Sequence, residues 1–66
     1  MSNYDIPAEQ KAILRNNKVA EFQSLIAQRE IDAVVFTAQG KTDEASAAQV
    51  EIDDAKAAID ALLALD

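Results

Sequence analysis

Between Pro7 and Gly40 nothing in this chain forbids a helix, and after Gly40 nothing does again. These are the only proline and the only glycine among 66 residues. Proline breaks a helix interior by its missing N–H and a ring clash, glycine by its backbone entropy. With apolar side chains at 50% and many of them alanine, so few breakers point to long helices.

The ends follow from local chemistry. In "DIPAEQKAIL", Pro7 suits a first helical turn, where its missing N–H is not needed. Glu9 then lies near the positive helix end. The first helix is predicted over residues 7–38. Its weak points are the paired asparagines of "RNNK" and the strand-prone run "IDAVVFT". A lone strand finds nothing to pair with in so short a chain, so 31–37 is read as helical. Gly40 stops the helix, since glycine takes the left-handed conformation such a stop often needs. Residues 39–42 form the turn, with Thr42 as N-cap and Asp43 and Glu44 in the first turn of a second helix over 43–65. Residues 1–6 are an N-terminal arm. So short a link makes neighbouring helices antiparallel. The sequence therefore predicts an all-α fold: one domain over 1–66, an antiparallel two-helix hairpin of coiled-coil-like character.

Index arithmetic supplies the pairing. Ala45, Ala48, Ile52, Ala55, Ile59 and Leu62 recur at the 3-4 spacing of a heptad seam. With paired residue numbers totalling 81, they face Phe36, Ala33, Arg29, Ile26, Phe22 and Val19. Large side chains meet small ones, Phe36 with Ala45 and Ile26 with Ala55, which lets the helices approach closely. Arg29 opposite Ile52 is the exception. Its stem is expected along the seam, with the guanidinium reaching water or Glu30.

A single hairpin does not account for a second apolar stripe on the first helix: Ile13, Ala20, Ala27, Ile31, Val34 and Ala38. At about 100° per residue it lies roughly opposite the seam. A weaker stripe on the second helix holds Val50, Ala57, Ala61 and Leu65, and a polar strip of Asn17, Glu21, Ser24, Gln28 and Asp32 remains on the first. A chain this short buries too little surface to be comfortably stable alone. It has no cysteine and no histidine, so disulfides and ordinary zinc sites are excluded as supports. A protein partner is the remaining one, and the second stripe is the predicted partner or oligomer interface. The first helix should also outrun the second by about 13 Å. The overhang, with Ala12, Ile13 and Leu14, either folds back at Asn16–Asn17 or docks on another chain.

Charge narrows the partners. The net charge is −6, and residues 41–66 hold seven acids against Lys41 and Lys56. Nucleic acid and anionic membrane surfaces need positive charge, so neither is expected as a partner. No apolar run reaches the roughly 18 residues of a membrane span, and "MSNYDIPAEQK" lacks the pattern of a signal peptide. The expected location is the cytoplasm.

"GKT" at Gly40–Thr42 matches the last three positions of a GxxxxGK[ST] phosphate loop, but Val35 stands where its first glycine belongs. Turn and N-cap explain all three residues. Ser2, Ser24 and Ser46 have no evident base, and Glu51, Asp53, Asp54 and Asp60 read as a solvated acidic face, with Lys56 pairing to Asp60. Tyr4 in the polar arm is a candidate contact anchor. No catalytic, cofactor-binding or metal-ligating residue is assigned, and no cofactor is expected.

The "MSNY" arm, the proline helix start and the "GKTDEA" turn before an alanine-rich acidic helix resemble the short helical hairpins encoded by tailed bacteriophages. The resemblance implies a virion component or a small modulator of a host protein and transfers no functional residues. The expected function is non-enzymatic: a hairpin that self-assembles into a helical bundle or docks on a larger assembly, in the virion if phage-encoded. The alternative is a small acidic inhibitor of a basic host surface, imitating nucleic acid.

Overall fold

Two helices make up the computed structural model, which describes residues 5–65. Helix α1 spans Ala8–Ala38 and α2 spans Thr42–Leu63. The arm assigned to residues 1–6 lies mostly outside the described residues, as does Tyr4. Pro7 sits one position earlier than expected. It is the N-cap of α1, with φ −54° and ψ 144°, and its carbonyl accepts from the Lys11 N–H at 3.0 Å. Proline's fixed φ and absent N–H suit this boundary, and Glu9 occupies the first turn.

Both doubtful stretches of α1 are helical. At 15–18 the helix runs straight through the asparagines, with Arg15 Nε donating to Asn16 Oδ1 at 3.3 Å. The overhang therefore does not fold back. At 31–37 Thr37 returns its hydroxyl to the Ala33 carbonyl at 2.7 Å, which satisfies it inside the helix.

The reversal takes three residues, Gln39 to Lys41. Gly40 has φ 73°, and its N–H donates to the Thr37 carbonyl while the Lys41 N–H donates to Phe36. This paired arrangement is a Schellman stop, and it needs a residue free to enter the left-handed region. The Lys41 carbonyl then accepts from Ala45, so Lys41 closes one helix and caps the next. Thr42 is thus not the N-cap expected of it. It is the first residue of α2, and its side chain makes no capping hydrogen bond. The helix also ends at Leu63 rather than 65: Ala64 is its C-cap, still bonded to the Asp60 carbonyl, and Leu65 tightens the last turn by donating to Leu62, three residues back.

The helices pack side by side into a rod of 56 × 17 × 14 Å. Its radius of gyration is 16.1 Å, against about 11 Å for a globule of this length. A rod keeps little inside. Ala48, Ile52 and Ala55, all on α2, are the buried core among the described residues. The two alanines bring the backbones together, and Ile52 supplies the volume. Burying one such isoleucine stabilises the fold by about 2–3 kcal/mol.

Candidate functional site

Around that core, the seam positions Val19, Phe22, Ile26, Ala33, Phe36, Ala45, Ile59 and Leu62 are all half-buried. Arg29 shares the α1 side of the seam but not the partner expected for it. Its Nε donates to Glu51 of α2, and its Nη1 lies 2.9 Å from Asp32. Glu30, one residue on, points about 100° away around the helix, whereas i+3 and the cross-seam position fall within reach. Hydrogen bonding to Glu51 first, and to Asp32 second, holds the Arg29 guanidinium above its ordinary pKa. Asp32 is therefore half-buried at the seam edge, not part of a solvated strip. Lys56 and Asp60 form no ion pair; the remaining pair among the described residues is Lys18–Glu21 at 2.8 Å.

The second stripe of α1 lies open. Ile13 is 60% exposed, Ile31 65% and Val34 71%, and Ala20, Ala27 and Ala38 between them are exposed too. On α2, Val50, Ala57 and Ala61 are exposed as well, as is Leu65 just beyond its end. Three large aliphatic side chains, Ile13, Ile31 and Val34, thus stand open to water on one face of α1.

A further feature escaped sequence reasoning. Where α1 outruns α2, a groove of about 290 Å³ is lined by Ala12, Leu14, Leu62 and Leu65 together with Lys11, Arg15 and Lys18. The signal was in the heptad. Continued toward the N-terminus, the 3-4 spacing of the seam passes through Arg15, Ala12 and Ala8.

The turn offers no phosphate cradle. The N–H groups of Gly40 and Lys41 are spent on the carbonyls of α1, and Val35 is helical. Asp43 and Glu44 flank the free N–H groups at the start of α2 and repel an anion there. Among the described residues no three acidic side chains converge as a metal site would require. No helix among them is long and apolar enough to cross a membrane. Comparison with protein-family models, with curated proteins and with solved structures finds no match for this chain.

Proposed function

We propose that this chain is a non-enzymatic interaction protein whose exposed α1 face is covered by protein, either by further copies in a helical bundle or by a larger assembly. A virion is one such assembly. The observation that carries this reading is the exposure of Ile13, Ile31 and Val34 on a hairpin that, among the described residues, buries only Ala48, Ile52 and Ala55. Each large aliphatic side chain removed from water contributes about 1.5–3 kcal/mol, so covering this face matters to a fold with so small a core. The test is the native mass of the protein in an extract of its own cell or particle, with Val34→Asp as the control. The natural chain is expected in a complex and the variant outside it. A native chain that runs as a lone hairpin, indistinguishable from the variant, overturns the reading.

A second reading is supported by the acids of α2. Asp43, Glu44, Asp53, Asp54 and Asp60 enter no ion pair among the described residues, which leaves them available to a basic surface. An inhibitor of that kind binds more weakly as salt rises. Reversing Asp53, Asp54 and Asp60 to lysine together should then abolish capture of its target, and undiminished capture rejects it.

A further inference from the structure

Because α1 is unbroken, its outer face is a second heptad seam. Beginning at Ile13 and ending at Ala38, positions recur at spacings of four and three for 26 residues; two of them, Asn17 and Ser24, are polar and border the polar strip, and none is charged, although 27% of the chain is. All of them are exposed. We infer that this face binds the same face of a second copy, antiparallel, with paired residue numbers totalling 51. The inference rests on the reading above, and it names the partner.

The register follows from complementarity. Under this pairing Ile13 meets Ala38 of the second copy, Ala20 meets Ile31, and Ser24 meets Ala27. Large packs on small, and the small residues let the helix axes approach. The flanking positions agree. Leu14 falls beside Val35 of the other copy, which brings together two further exposed apolar side chains. Glu21 falls beside Gln28 and Gln23 beside Glu30, so each carboxylate meets an amide donor and no like charges meet.

The competing register, one heptad away with numbers totalling 44, keeps the stripe in contact but sets Glu21 directly against Glu21 across the two-fold axis. It also pairs Ile13 with Ile31, large on large, around a centre of Ala20 and Ser24. Charge and volume both select the first register. The strip is about 39 Å long and about 10 Å wide. Two such strips bury roughly 800 Å² together, below the roughly 1,200 Å² of a standard stable interface, so a weak, readily reversible dimer is expected.

The test uses the purified full chain, which has no cysteine of its own. Light scattering behind size exclusion at about 100 µM should give twice the chain mass. Ala20→Cys mixed with Ile31→Cys and oxidised should give a cross-linked dimer, since a disulfide forms only when the Cα atoms lie within about 7 Å. Ala20→Cys mixed with Ser24→Cys, the pair of the competing register, should not. Circular dichroism confirms that each exposed-site variant keeps its helices. A purified monomer overturns the second-copy assignment while the native-extract experiment still decides the broader reading. A dimer that cross-links only through Ala20 and Ser24, or through Ala20 and Ala20, overturns the register.

Discussion

Arg29 and Glu51 join the two helices from opposite sides of the seam. Arg29 lies beside the buried alanines Ala48 and Ala55, and its guanidinium donates to Glu51 while also holding Asp32. An aliphatic stem lies on the core and a charged head reaches water, which is how a long side chain closes an apolar layer at its edge.

Stem and charge can be separated by substitution. Arg29→Ala removes both and should lower the melting temperature. Arg29→Leu keeps the apolar cover and should retain most of the stability, because an exposed ion pair contributes little and is screened by salt. Thermal melts of both variants in low and high salt decide it; equal losses would mean the charge, not the stem, matters. The sign of the pH effect is fixed too. Hydrogen bonding raises the folded-state pKa of Arg29, so its contribution is complete below the unfolded pKa and is lost only as pH rises through the folded one, far into the alkaline range. Between about pH 6 and 9 this group should leave the melting temperature unchanged.

The core is small enough that single changes should be decisive. Ile52→Ala leaves a cavity in the buried layer it shares with Ala48 and Ala55 and should cost about 2–4 kcal/mol. A fold of this size has little more than that in reserve. Urea titration followed by circular dichroism should find this variant largely unfolded in dilute solution. Ala55→Leu tests the opposite fault, forcing apart helices that approach over a buried alanine, at a cost of about 1–3 kcal/mol.

Gly40 isolates a backbone effect. A Cβ added there meets nothing within 4 Å, yet φ is 73°. Gly40→Ala should therefore destabilise by about 1 kcal/mol through conformation alone, and Gly40→Asn by less, since asparagine enters the left-handed region more readily. The order glycine, asparagine, alanine in denaturant midpoints checks this; a reversal of the last two would contradict it.

Thr42→Ala should be nearly neutral, whereas removing a working N-cap costs about 1 kcal/mol. The reason shows what the sequence could and could not reveal. Gly40 as a helix stop was legible, because only glycine takes that φ cheaply. The cap was not, because the Schellman bond from Lys41 to Phe36 fixes where the next helix can begin, and that bond appears only once the chain has turned. The seam was legible as a 3-4 repeat on both helices. The partner of Arg29 was not, since choosing Glu51 over Glu30 requires knowing how far the second helix is rotated. The outer face of α1 was legible as apolar, but its continuity depended on whether the asparagines broke the helix.

Asn17 carries the last prediction. It is the second position of the outer face, it is exposed, and in the proposed dimer it meets Val34 of the other copy. Facing Val34, its amide is desolvated with no hydrogen-bond partner across the seam, which weakens association. Asn17→Val should therefore strengthen dimerisation without changing its register. Analytical ultracentrifugation would show a lower dissociation constant, and Ala20→Cys would still cross-link to Ile31→Cys and not to Ser24→Cys. Asn16→Val, one residue away and off the face, should leave the dissociation constant unchanged. If both asparagine variants behave alike, Asn17 acts through helix propensity and has no part in the interface.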